Sequence, residues 1–121
     1  MEQAAALPFC TRHLADLGAE VIRVQSHKRP VGVLQEVHYY RNKKLVGLDL
    51  AHPDGPEAFR AIAANVDIVC HNFTPRVMRK YGIDFERLAA LNDNLIYCAV
   101  TGFGTTGPWG DRPLFGPGAE A

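Results

Sequence analysis

Residues 67–107, DIVCHNFTPRVMRKYGIDFERLAALNDNLIYCAVTGFGTTG, decide the fold. The run Asp67 to His71 is almost wholly apolar in its middle and ends at Asn72 and Phe73. A basic helical turn follows from Pro75 to Tyr81, then a helix over Phe85 to Leu91 with Phe85, Leu88 and Leu91 at inward spacing. Asn94 to Val100 reads as another strand, and Thr101 to Gly107 as a glycine loop. A strand apolar on both faces belongs in a parallel sheet covered by helices on either side. Strands and helices alternating at these distances predict right-handed crossover units in an open α/β sheet.

The same alternation extends upstream. Pro8 suits a first helical position and Gly18 a C-terminal stop, so Phe9 to Leu17 is expected to be helical with Phe9, Leu14 and Leu17 inward. Glu20 to Gln25 is expected as a strand, since Val21, Ile22 and Val24 are β-branched, and residues 27–30 as a loop. A short helix is favoured near Leu34 to Tyr40 and a second strand over Leu45 to Leu50. Asp54 to Asn65 reads as a helix capped by Asp54, with Ala58, Phe59, Ile62 and Ala63 on its buried face.

A chain of 121 residues is about one domain. Thirteen Lys+Arg balance thirteen Asp+Glu, so no global field favours nucleic acid, and any anion site must be local. Cys10, Cys70 and Cys98 are odd in number and lack CxxC spacing, which predicts reduced core thiols in a cytoplasmic protein. No apolar run approaches the ~18 residues of a membrane span, and Ala4 to Leu7 lacks the basic leader of a signal peptide. His13, His27, His38, His52 and His71 show no HxxxH or HExxH spacing, so no metal set is expected. There is no Ser/His/Asp arrangement with a nucleophile elbow.

In an open parallel sheet, ligands bind beyond the carboxyl ends of the strands. Ser26 to Pro30, the stretch after Leu50, Asn72 to Lys80 and Thr101 to Gly107 are expected there. Asn72 offers donor and acceptor atoms and Phe73 a flat apolar face, although residue types alone favour an Asx-turn and a sheet-edge seal. Arg76, Arg79 and Lys80 share one helical face, while Val77 and Tyr81 share another. Such cations can hold a phosphate or simply face solvent. Gly102 to Gly107 spells GxGxxG, but a dinucleotide fingerprint needs a helix to start there, and Pro108-Trp109-Gly110 breaks one. A flexible substrate-side loop is expected instead of an NAD site.

Asn72-Phe73, Pro75-Arg76-Val77-Met78, Leu91-Asn92 and Thr101-Gly102-Phe103-Gly104, in this order, closely resemble the family III CoA-transferases. That group, CaiB/BaiF, holds formyl-CoA and carnitine CoA-transferases and the 2-methylacyl-CoA racemases. Leu14 to Ile22, Arg41 to Lys44, Leu48-Asp49-Leu50 and Pro53-Asp54-Gly55 extend the resemblance from Pro8 to about Pro113. It implies a Rossmann-like open parallel sheet with flanking helices, truncated, with residues 1–121 as the partial N-terminal CoA-binding domain of an acyl-CoA:carboxylate CoA-transferase. It further implies coenzyme A or acyl-CoA as substrate, with no permanently bound cofactor, and CoA contacts at Leu48, Asn72, Phe73, Arg76, Val77, Lys80 and Tyr81.

By the family pattern, the Asp nucleophile that attacks the thioester lies in a Gly-Asp segment beyond Ala121, so this stretch alone is expected to be inactive. The racemase branch carries a His-Asp pair where this chain has Phe115 and Gly116, neither able to move a proton, which disfavours racemisation. A non-catalytic CoA- or nucleotide-binding remnant is the alternative, and a racemase fragment a more remote one. Two positions depart from the family: Ser26 stands where a basic residue contacts the adenosine end, with His27-Lys28-Arg29 beside it, and Leu7-Pro8 stands where the family has glycine. Full-length relatives are expected to form interlocked homodimers. The family also builds a strand ahead of its first helix, and its absence here is expected to leave an unpaired edge near Val21-Ile22 or Ile68-Val69 that promotes self-association.

Overall fold

A computed structural model describes residues 1, 5–26, 28 and 37–114. The elements are α1 (Ala6–Asp16), β1 (Val21–Gln25), β2 (Lys43–Gly47), α2 (Gly55–Ala63), β3 (Ile68–His71), α3 (Pro75–Tyr81), α4 (Phe85–Ala89) and β4 (Ile96–Ala99). The α/β alternation read from the sequence is therefore present, with all strand pairs parallel. Val21 pairs with Lys43 through Gln25 with Gly47, and Ile68 with Ile96 through His71 with Ala99. Among the described residues these make two separate two-stranded sheets, β1-β2 and β3-β4, with no ladder joining β1 to β3.

The main core is built where α2, α3 and α4 meet the strands. Val24, Phe59, Ala63, Val69, Met78, Ile83, Leu88 and Leu95 form one buried cluster. Gly82, at φ 63, ends α3 in the left-handed conformation that glycine tolerates, and the Ile83 N–H returns to the Met78 carbonyl at 3.1 Å. That turn aims Ile83 inward, next to the start of α4. Asp84 caps α4 by accepting the Arg87 N–H at 3.3 Å and also pairs with the Arg87 guanidinium. Burial opposes its ionised form, but these bonds prevail and lower its pKa.

Several inward faces differ from the sequence expectation. Helix α1 buries Leu7, Pro8, Thr11 and Ala15, whereas Phe9 is 47 %, Leu14 38 % and Leu17 85 % exposed. The stripe includes a polar position made tolerable by its partners: the Thr11 hydroxyl donates to the Leu7 carbonyl at 3.2 Å and accepts from Lys43 Nζ at 2.6 Å. Phe9 instead meets the His13 ring edge-on at 4.6 Å. In α4, Leu88 is fully buried while Phe85 and Leu91 are about half exposed, because the helix ends at Ala89 and presents a single inward position. Ala58 is exposed, and α2 buries Gly55, Phe59 and Ala63. Asp54 makes no side-chain cap; its φ of −86° and ψ of −7° already lie in the helical region.

Strand β2 starts two residues earlier than expected, at Lys43, and Leu48 to Leu50 leave the ladder after the Leu48 N–H reaches the Gln25 carbonyl at 2.9 Å. Helical backbone covers 37–39 within the expected Leu34 to Tyr40 helix, whose first residues lie outside the described ones. Cys70 and Cys98 are half-buried register partners and Cys10 is exposed, so none is a fully enclosed core thiol. Burial, with Cys98 beside it, pushes the Cys70 thiol up to about 11. No helix among the described residues is long and apolar enough to cross a membrane.

Candidate ligand crevice at the carboxyl ends of the strands

The carboxyl ends of β1, β2, β3 and β4 deliver Ser26, Leu48, Asn72 and Val100 to the loops expected to hold a ligand. Leu48 and Phe73 are partly buried and pack against the core, so each presents only part of its side chain. Asn72 is half-buried at the exit of β3 and already engaged with neighbouring groups. Thr74, in extended conformation, and Pro75 then start α3. Arg76, Arg79 and Lys80 are exposed along α3, Val77 and Tyr81 are half-buried, and Met78 faces the core. Lys80 Nζ lies 5.2 Å from the Tyr81 ring centroid, a cation–π distance.

Arg79 is not part of an open cation cluster. Its Nη2 donates to both carboxylate oxygens of Asp111, at 3.1 and 3.0 Å, and the same carboxylate accepts the Arg76 backbone N–H at 2.7 Å. Asp111 thus satisfies a donor of the first turn of α3 and neutralises Arg79. No local sequence signal announces this, because the partners lie more than thirty residues apart. Among the described residues, Arg76 and Lys80 have no carboxylate in salt-bridge reach, which leaves them as the cations of this face.

The other basic groups serve the fold. Arg41 pairs with Asp16 at 2.7 Å, and that hydrogen bond lowers the Asp16 pKa. Lys43 reaches Thr11 and the Pro8 carbonyl, and Lys44 reaches Glu20 at 2.8 Å. Lys28 bridges to Asp49 at 2.6 Å, joining the exits of β1 and β2, while His27 and Arg29 lie outside the described residues.

No helix starts in the glycine loop: residues 101–111 are turns and bends, with Gly104 at φ 79 and Gly107 at φ 83. The expected flexible loop is tied down at its far side by Asp111, and Phe103 meets Trp109 edge-on at 5.3 Å. Beneath it His71, only 2 % exposed, accepts the Phe73 N–H on Nδ1 at 3.3 Å, so the proton of the neutral ring sits on Nε2. Burial, reinforced by the nearby Met1 ammonium, lowers the His71 pKa to about 4. The Tyr97 ring packs against it at a tilt of 58°, with centroids 4.9 Å apart, and donates its hydroxyl to the Ile83 carbonyl at 3.3 Å; burial raises the phenol pKa. His71 and Tyr97 line a second crevice, of about 790 Å³, with Arg79, Phe85, Thr105 and Thr106. Among the described residues no group of three His, Cys, Asp or Glu side chains could hold a metal ion.

The layout is an α/β unit with an Asn-Phe exit from β3 and a basic helix after it, at the carboxyl ends of the strands where open parallel sheets bind ligands. The sequence model described as CoA-transferase family III matches residues 1–121, and the chain belongs to that family. It is 36% identical over 131 residues to the succinyl-CoA–L-malate CoA-transferase beta subunit of Chloroflexus aurantiacus, covering 96% of this chain and 32% of that protein. It is 32% identical to the human succinyl-CoA:glutarate CoA-transferase, covering 100% of this chain and 30% of the human one. Among solved structures, the D175A mutant of Rv3272 from Mycobacterium tuberculosis superposes with a TM-score of 0.83 at 34% identity, over 93% of this chain and 34% of that one. A CAIB/BAIF family protein from Brucella suis gives a TM-score of 0.77 at 36% identity, again over 93% and 34%. The chain spans about a third of the length of the curated relatives it matches.

Proposed function

We propose that residues 1–121 are the CoA-binding portion of an acyl-CoA:carboxylate CoA-transferase, and that the crevice at the exits of β2 and β3 holds the coenzyme. The observation that carries this reading is the placement of Asn72 and Phe73 at the carboxyl end of β3, with Arg76 and Lys80 exposed on the helix that follows. Arg76 and Lys80 supply positive charge to phosphate oxygens, and Asn72 supplies an amide to a polar group of the coenzyme. Leu48, Phe73, Val77 and the Tyr81 ring give partly buried apolar surface for its less polar portions. The role of this stretch is binding and orientation; bond-making at the thioester is assigned to none of its side chains. Acyl-CoA and a carboxylate are the proposed substrates of the whole enzyme, on the pattern of the relatives' names.

Calorimetric titration with CoA tests the reading. Replacing Arg76 and Lys80 by alanine is expected to weaken binding by about 1.5–3 kcal/mol, the range for hydrogen bonds to charged groups. Arg79 is left intact because its loss would free Asp111 and disturb the start of α3. Unchanged affinity in the double variant would assign both cations to solvent.

A further inference from the structure

The pairing of β3 with β4 sets two thiols side by side. The strands run parallel, with Val69 opposite Tyr97, Cys70 opposite Cys98 and His71 opposite Ala99. Val69 packs with Phe59 and Ala63 in the main core, and the His71 ring meets Tyr97 on that same side. Side chains alternate along a strand, so Cys70 and Cys98 both project from the opposite face of the ladder. There the Cys98 side chain is hydrogen-bonded to the Cys70 thiol. No CxxC spacing announces this pair, because α3 and α4 separate its members in sequence.

The spacing suits a covalent bond. Neighbouring strands lie about 4.7–4.9 Å apart, and a disulfide spans Cα atoms roughly 4.4–6.8 Å apart. Register partners on one face stand within that span. Both cysteines are half-buried rather than enclosed, so a small oxidant reaches them, whereas Cys10 is exposed on α1 and belongs to no ladder.

We propose that Cys70 and Cys98 are an oxidative modification site, at which a hydroperoxide converts the two thiols into a disulfide that staples β3 to β4. The Cys98 sulfur attacks the terminal peroxide oxygen and the O–O bond breaks. Cys98 becomes a sulfenic acid, and the other oxygen leaves with the Cys98 proton, as water from hydrogen peroxide or as an alcohol from an organic hydroperoxide. The Cys70 sulfur then attacks the Cys98 sulfur, the S–O bond breaks, and hydroxide departs with the Cys70 proton as water. Two thiols are oxidised by two electrons in total, and one peroxide is reduced. The order follows from the surroundings: burial, with Cys98 beside it, pushes the Cys70 thiol up to about 11, so Cys70 keeps its proton near neutral pH and acts second. The bond closes the segment from β3 to β4 into a covalent loop and removes conformational freedom from the unfolded chain.

The test treats the 121-residue chain with hydrogen peroxide in slight excess, alkylates the remaining thiols and maps the bridges by mass spectrometry, once folded and once in urea. In the folded chain the Cys70–Cys98 bridge is expected to exceed the two bridges that involve Cys10 by about tenfold or more, with Cys10 recovered alkylated. In urea the three pairings are expected within a few fold of one another, as chain closure alone sets them. The oxidised chain is expected to melt at higher urea than the reduced one, and dithiothreitol to restore the original midpoint. Cys10→Ser leaves the bridge intact, and Cys70→Ser halts at a sulfenic acid on Cys98 that a cyclic dione traps. The same distribution of bridges folded and in urea would overturn the proposal, since the fold would then select no pair. So would sulfinic acid at Cys98 without a bridge, or cross-linked dimers as the main product of the folded chain.

Discussion

Truncating Leu88 to alanine is expected to lower the unfolding free energy by about 2–5 kcal/mol, the cost of lost apolar burial together with the cavity it leaves. Leu88 is completely buried, and it shares the cluster in which Met78, Ile83 and Val69 lock α3 and α4 onto β3. A domain holds only about 5–15 kcal/mol in total, so this single change removes a large share of it. Leu91→Ala is the informative companion, because Leu91 lies three residues on, just past the end of α4, and is 48 % exposed. It is expected to stay within about 0.5 kcal/mol of the parent, as surface changes usually do. Denaturant melts at low protein concentration check both; equal losses for the two variants would mean that both leucines face the core.

Acidification is expected to destabilise the fold between pH 6.5 and about 4 through His71. Its folded pKa lies below the ordinary value of 6.5, so within this window the unfolded chain binds a proton that the folded chain refuses. Stability from this residue is fully present above 6.5, falls as the pH drops through the window, and is lost below about 4. The full difference is on the order of 3 kcal/mol, at 1.36 kcal/mol per unit. Asp84 acts separately and at lower pH, since its own pKa is lowered from 3.8. Replacing His71 with phenylalanine is expected to flatten the stability profile between pH 6.5 and 4 while leaving the acid limb below it. Urea melts across this range read the slope directly, and a parent profile with no slope there would show that the imidazole is solvated or already paired.

The order of elements and the parallel pairing were legible because apolar runs, Pro8, Gly18 and Pro75 punctuate the chain at strand and helix lengths. The inward faces of the short helices were harder to read. Large apolar residues suggested Phe9, Leu14 and Leu17 in α1, but the buried stripe consists of Leu7, Pro8, Thr11 and Ala15, one turn apart along the face that meets the strands. Arg23 is another such case, an arginine 5 % exposed within β1 whose guanidinium lies 3.5 Å from the Tyr40 ring centroid. Periodicity cannot reveal a cation held by an aromatic ring seventeen residues away. At the crevice, the strand exits and the basic helix followed from local sequence. The capture of Arg79 by Asp111 did not, because it depends on how the glycine loop folds back over α3.

The central claim is that CoA binds along Asn72 to Tyr81, and amide chemical-shift mapping during a CoA titration of the 121-residue chain tests it most directly. Saturable shifts concentrated at Leu48, Asn72, Phe73 and the exposed face of α3 around Arg76 and Lys80 are the predicted result. Shifts confined to the crevice of Tyr97, Thr105 and Thr106, or none at all in a chain shown to be folded by its amide dispersion, would contradict it.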